Sequence, residues 1–159
     1  MIPGIKDIRS WSAALFESVQ DLAEDMLGGA TVAANAQKQE MPSALLGAFI
    51  QVVCSEGPVL LGLTGSTENC EGLARLMLGM DPTEPIAELD AFDAIAEIIN
   101  IVAGSLKTKL AGTVGNIELG LPVFLSGKLR AIGRIAVETC EVSVGGFDCE
   151  LIVFALSGK

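Results

Sequence analysis

The chain has 159 residues, a length that suits one domain with a real core, and half of its residues are hydrophobic. Twenty acidic residues against ten basic ones give a formal charge of −10, which repels phosphate backbones and favours a partner with a basic surface over nucleic acid. Histidine is absent, so zinc sites built on it, histidine general bases and Ser-His-Asp triads are excluded for this chain alone.

The first element expected is a helix from about Ile8 to Leu27. Its apolar positions Ile8, Trp11, Leu15, Val19, Leu22 and Met26 recur at steps of three and four, and Gly28-Gly29 stops it. Strands follow over Thr31 to Gln37, Leu45 to Cys54 and Pro58 to Thr64, the last two joined by a Ser55-Glu56-Gly57 turn. A short helix is expected from Thr67 to Leu78, with Ser66 as N-cap, Glu68 in its first turn and Gly79 at its end. Asp81-Pro82-Thr83-Glu84-Pro85 reads as a loop. A second long helix covers about Ala87 to Ala111 and ends at Gly112. Asn116 to Leu119 leading into Pro122 to Leu125, then Ala131 to Val142, then Phe147 to Leu156 read as strands, with Val144-Gly145-Gly146 as the last hairpin turn.

No apolar run reaches the roughly 18 residues needed to span a bilayer, and Met1 to Asp7 has neither a basic start nor an apolar signal core. The expectation is a cytoplasmic protein. Cys54, Cys70, Cys140 and Cys149 lack metal-ligand spacing and read as reduced core residues; a disulfide between Cys140 and Cys149 across the last hairpin is a secondary possibility. Gly62-Leu63-Thr64-Gly65-Ser66 lacks the lysine of a phosphate-binding loop, so no resident metal or cofactor is expected.

The two long helices align at an offset of 80 residues, matching Leu15 with Ile95, Val19 with Ile99, Leu22 with Val102 and Met26 with Leu106. Each is followed by glycine and about three strands. The pattern reads as an internal duplication that gives a pseudo-symmetric α/β (α+β) domain, with a largely antiparallel sheet and two long helices packed on it.

One helix face could carry chemistry. At roughly 100° per residue, Leu89, Phe92, Ile95, Ile99, Val102, Leu106 and Leu110 are assigned to a buried stripe. Asp93, Glu97, Asn100, Gly104 and Lys107 gather on nearly the opposite side. Gly104 costs about 1 kcal/mol relative to alanine there and leaves room beside Asn100 for another surface to approach. Such a face alone reads as an ordinary solvated one, because Glu-x-x-Asn by itself is a very weak motif.

The segment from Asp93 through Glu97, Asn100 and Gly104 to Leu110, followed by Leu121-Pro122-Val123, resembles the signature helix of the CheC/CheX/FliY chemotaxis phosphatases. Their pattern is Asp or Ser, three residues, Glu, two residues, Asn, about 22 residues and Pro. Here 21 residues separate Asn100 from Pro122. The resemblance is to a CheX-like member, and it implies a single CheX-like domain over residues 1–159. It also implies dephosphorylation of an aspartyl-phosphate on a CheY-like response regulator. Asn100 would position water and Glu97 would anchor a basic residue of the regulator, with Asp93, Gly104 and Lys107 at the partner interface. The regulator would bring its own Mg²⁺. The alternative is a docking or dimerisation module that keeps the fold without turnover; a flagellar-switch component is weaker, since no residues are left over for a switch-binding domain. CheX relatives often pair through sheet edges, so a homodimer is implied. The first helix offers Ala13, Glu17, Gln20 and Glu24 at the positions of Asp93, Glu97, Asn100 and Gly104, and a solvated face is expected there in preference to a second site.

Overall fold

Residues 5–42, 45–128, 130 and 134–156 are described in the computed structural model of the chain. Helix α1 (Ile8–Met26) begins at Asp7, whose carboxylate accepts from the Ser10 amide at 3.2 Å and the Ser10 hydroxyl at 2.6 Å. The first of these satisfies one of the backbone donors that every helix start leaves open. Strands β1 (Val32–Lys38), β2 (Leu45–Cys54) and β3 (Gly57–Thr64) follow. In α2 (Thr67–Leu78) the Ser66 hydroxyl accepts from the Asn69 amide at 3.1 Å, and Gly79 closes the helix at φ 67°. The chain then forms α3 (Glu88–Val114), β4 (Glu118–Leu119), β5 (Val123–Gly127), β6 (Ile135–Val144) and β7 (Phe147–Leu156).

Several boundaries differ from the sequence expectation, and α3 and β6 depart the most. Helix α3 passes through Gly112 and ends at Gly115, whose φ is 75°. Val114 lies four residues beyond Leu110 and is buried, so one more core contact outweighs the helix cost of Gly112. Of the strand expected from Ala131 to Val142, positions 131–133 lie outside the described residues; β6 starts at Ile135 and runs to Val144.

Among the described residues the strands form one seven-stranded sheet in the order β1-β6-β7-β3-β2, with β4 and β5 sharing the far edge of β2, and each of these strand pairs is antiparallel. Along that edge Phe49 faces Val123 and Val52 faces Leu119, so Gly120-Leu121-Pro122 stands opposite Ile50-Gln51. The extra residue makes a bulge. It is held by the Gly120 amide, which donates to the Gln51 carbonyl at 2.8 Å, and Pro122 has no amide to leave unpaired.

The duplication is visible in the sheet. β2 (45–54) and β6 (135–144) are offset by 90 residues, as are the starts of β3 at 57 and β7 at 147. Exchanging the halves turns the strand order into its own reverse, because β1 corresponds to β4/β5, β6 to β2 and β7 to β3. Leu15 and Ile95, Val19 and Ile99, and Leu22 and Val102 are all buried. Met26 departs from Leu106, at 49% exposed against 0%, because α1 ends where α3 continues for two more turns.

All three helices cover one sheet face, and α3 packs against both α1 and α2. Alternating strand residues such as Ala48, Ile50 and Val52 of β2 and Leu151 and Val153 of β7 meet them. The opposite face carries a smaller cluster of Leu45, Phe49, Ile152 and Phe154, joined by Met41. Gly62 is required beneath the Phe49 ring, where a Cβ would come within 2.2 Å of a ring carbon. The four cysteines are free thiols; Cys70, Cys140 and Cys149 are buried, and burial pushes Cys149 up to about 12. Cys140 faces Leu151 and Cys149 faces Val142, so the hairpin does not set these two opposite each other.

Candidate functional site

Helix α3 is buried on more than one side. Ala91, Ala94, Ile95, Ile98, Ile99, Val102, Ala103, Leu106 and Leu110 are in the core, because sheet, α1 and α2 all lean on it. What remains is a narrow strip of surface. Asp93, Glu97 and Lys107 are exposed on it, and Asn100 and Gly104 are half-buried. Five residues that the 3.6-residue period brings to one side thus stay on one accessible ridge, although Asn100 sits lower than the expected full exposure. Among the described residues no side-chain hydrogen bond or ion pair engages Asp93, Glu97, Asn100 or Lys107, and none of these is left as a buried polar group without a partner. The Asn100 carboxamide is therefore free to serve an external group with both its acceptor and its donors.

Gly104 lies one turn beyond Asn100. A Cβ built there meets nothing within 4 Å beyond the helix's own neighbouring backbone, so the chain's own packing does not require a glycine. Its effect is on the surface: the helix backbone is bare beside the carboxamide. On the α1 flank, Lys109 reaches Asp21 at 2.8 Å, and that hydrogen bond holds the lysine above its usual range. It fastens α3 to α1 within two residues of Lys107.

The N-terminal half of α3 is anchored to the bulged edge of the sheet. Phe92 stacks on Phe124 of β5 with ring centroids 3.8 Å apart and planes 16° from parallel. Pro122 stands two residues before Phe124, where β4 breaks into β5. The structural meaning of the distant proline is thus a fixed start for the strand whose aromatic ring holds the helix that carries Glu97.

The surroundings of the ridge differ from the helical-period expectation at one residue and include others from α2. Leu89, expected in the buried stripe, is 74% exposed. It precedes Asp93 by four residues, so it belongs to the polar ridge, and the helical period already carried that signal. On the other flank, Met77, Leu78, Asp90, Asp93, Ala94 and Glu97 line a groove of about 480 Å³ between α2 and α3, and Leu78 is 51% exposed beside it. Nothing local in the sequence joins Met77-Leu78 to Glu97; only the docking of α2 on α3 does so. On α1, Glu17, Gln20 and Glu24 are exposed, as is Ala13. No cluster of three or more potential metal-ligating side chains occurs among the described residues, and no helix there is long and apolar enough to cross a membrane.

No curated protein matches the sequence. Solved structures match over most of the chain. A chemotaxis protein CheX from Desulfovibrio desulfuricans superposes with a TM-score of 0.75 at 13% identity, covering 93% of this chain and 99% of that one. The CheX–CheY–BeF3–Mg²⁺ complex from Borrelia burgdorferi gives a TM-score of 0.65 at 14% identity, covering 92% and 97%. FliY from Thermotoga maritima gives 0.65 at 18% identity, covering 94% and 87%. At such identities these likenesses establish the fold. The family assignment comes from the sequence itself: the profile described as chemotaxis phosphatase CheX matches residues 48–143, more than half of the chain and the whole stretch from Asp93 to Pro122. The chain belongs to the CheX family of chemotaxis phosphatases.

Proposed function

We propose that this protein hydrolyses the aspartyl-phosphate of a CheY-like response regulator, with Asn100 and Glu97 as the working pair. The observation that carries the reading is the unengaged Asn100 carboxamide on the α3 ridge beside the bare backbone of Gly104, in a chain of a phosphatase family. An acyl phosphate is already activated, so its hydrolysis needs chiefly an in-line water and stabilisation of charge on the phosphoryl oxygens. Water attacks phosphorus, the bond from phosphorus to the carboxylate oxygen breaks, and inorganic phosphate and the free aspartate result. The Asn100 carbonyl oxygen accepts from the water and its NH₂ donates to a phosphoryl oxygen. A carboxylate there would repel the phosphoryl group, whereas an amide does not. Glu97, one turn earlier, pairs with a basic residue of the regulator. Gly104 gives the regulator's surface room, and Asp93 and Lys107 flank the contact. The regulator supplies its own Mg²⁺, in keeping with the metal named in the Borrelia complex.

Association of two copies through sheet edges completes the reading. It is supported by the outer edge formed by β4 and β5, where Leu121, Val123 and Leu125 are 86%, 48% and 40% exposed. The decisive experiment is a phosphate-release assay on phosphorylated regulators from the same cell, with wild-type protein and Asn100→Ala. The substitution is expected to lower the catalytic constant about 100-fold, with little change in affinity, because a positioning amide acts mainly in the transition state. Equal turnover by the two proteins would refute the role of Asn100. Tight binding with no acceleration by the wild type would make the chain a docking module.

A further inference from the structure

The pseudo-twofold relates two equivalent seams at opposite edges of the sheet, each between a long helix and its edge strand. In the second half the seam is closed. Phe92 of α3 stacks on Phe124 of β5, and Phe124 stands directly opposite Ala48 of β2, which is fully buried. The equivalents in the first half follow from the helix offset, the strand offset and the pairing register. Phe92 corresponds to Ser12 at an offset of 80, and Ala48 corresponds to Glu138 at an offset of 90. Phe124 corresponds to Gln39, which lies one step past the Lys38–Thr139 pair and therefore opposite Glu138. An apolar wedge in one half is a polar constellation in the other.

That constellation is built around a buried charge. Glu138 is 1% exposed. One of its oxygens accepts from the Gln37 amide at 2.8 Å and the other from the Gln39 amide at 2.9 Å; Gln37 also donates to the Ser12 hydroxyl at 3.1 Å. Arg9 approaches Glu138 only to 3.7 Å, beyond hydrogen-bond length, and its side chain is 77% exposed. Where the rings would lie there is an open groove of about 730 Å³, with Glu138 and Cys140 in its floor and Ala13, Phe16 and Ala34 among its walls. A buried carboxylate is costly unless its acceptor sites are filled. Two of roughly four are taken by neutral amides, and a carboxylate prefers a charged donor. The volume is that of a small-molecule site.

We propose that this groove binds a small organic cation, an ammonium or guanidinium group on an alkyl stem, with the charged head on Glu138 and the stem along Phe16, Ala13 and Ala34. Arg9 holds the mouth and yields its long contact when the ligand enters. The site lies on α1, β6 and the β1 edge, so it is independent of the ridge on α3 and of any phosphatase activity.

The test is a titration of the full-length ¹⁵N-labelled protein with agmatine and with butylamine, followed through the side-chain NH₂ signals of Gln37 and Gln39, with sodium acetate as the anionic control. Saturable shifts of those two amides by both cations, and none by acetate, are expected. Ala13→Phe places a ring over the groove from an exposed helix position without touching the buried network, and it should weaken binding about tenfold or more. Glu138→Gln should do the same if it folds; should it fail to fold, Ala13→Phe decides alone. Absence of saturable shifts, equal shifts with acetate, or unchanged affinity in folded Ala13→Phe would each overturn the proposal.

Discussion

Gly104 separates stability from function in a single position. It lies within a 27-residue helix, and a Cβ added to it meets nothing within 4 Å outside the helix's own adjoining backbone. Gly104→Ala therefore removes the entropic cost of glycine without creating a clash, worth about 1 kcal/mol in a helix interior. For a domain of this size that raises Tm by about 2–4 °C. Thermal unfolding followed by circular dichroism at 222 nm measures it. Gly104→Leu is expected to fold equally well, but it places a branched side chain beside Asn100, where the proposed regulator surface comes closest. Its Kd for a phosphorylated regulator should rise about tenfold, which is about 1.4 kcal/mol. A fall in Tm for Gly104→Ala would refute the open surroundings of this residue. Undiminished affinity and turnover in folded Gly104→Leu would refute the approach of a partner over this face of α3.

Glu97→Ala is expected to weaken regulator binding roughly two- to fivefold at low salt and progressively less as salt rises, since exposed ion pairs are screened; binding measured at 50 and 500 mM salt checks it, and a salt-independent loss would argue against an ion pair. Glu150 supplies a pH-dependent prediction. It faces Glu141 across β6 and β7, and its carboxyl is held above the ordinary value of 4.5, first by burial and then by Glu141, against a smaller opposing effect of Lys38. The folded state thus holds this proton more tightly than the unfolded state does. Its ionisation lowers stability as pH rises through the ordinary value towards the raised one, and the deficit persists at neutral pH. Glu150→Gln should therefore raise Tm at pH 7, with the gain shrinking below about pH 4.5; an equal gain at pH 3.5 and pH 7 would contradict it.

The elements with strong local signals were legible from the sequence. Ser66 caps α2, glycines at 28, 29 and 79 end helices, and β2 and β7 span the residues that their apolar runs and turns imply. The duplication was also legible in the helix stripes, because both helices bury one side against the same kind of sheet. What the sequence concealed depends on tertiary packing. Gly112 reads as a terminator only until Val114 finds a core position. The ridge of Asp93, Glu97, Asn100, Gly104 and Lys107 follows from the helical period, yet the groove of Met77 and Leu78 beside it requires α2 to dock. The two-part strand over β4 and β5 was legible, but the stacking of Phe92 on Phe124, 32 positions away, depends on α3 docking beside that edge. The polar seam around Glu138 was equally hidden, since a glutamate in a strand of alternating character reads as solvent-facing until register turns it towards α1.

The same symmetry bears on why one helix would work and the other would not. α1 presents Glu17 and Gln20 where α3 presents Glu97 and Asn100, so an acid and a carboxamide one turn apart occur on both. The surroundings differ at the outer two positions. Ala13 replaces Asp93, and Glu24 replaces Gly104. Glu24 is exposed and puts a carboxylate where α3 has only bare backbone, so a phosphoryl-bearing surface approaching Gln20 meets both bulk and like charge. Asp21, next to Gln20 in sequence, adds a further negative charge that Lys109 only partly offsets at an exposed site. Gln20→Ala is therefore expected to change regulator dephosphorylation by less than about twofold, against the about 100-fold loss from Asn100→Ala, in the same assay and at the same protein concentration. The complementary change, Glu24→Gly, clears the position and removes the charge. If clearance and charge are what silence α1, activity in the Asn100→Ala background should rise measurably when Glu24→Gly is added. A large loss from Gln20→Ala alone would mean that both halves of the duplication are in use, and that a glycine beside the carboxamide is not a requirement of the site.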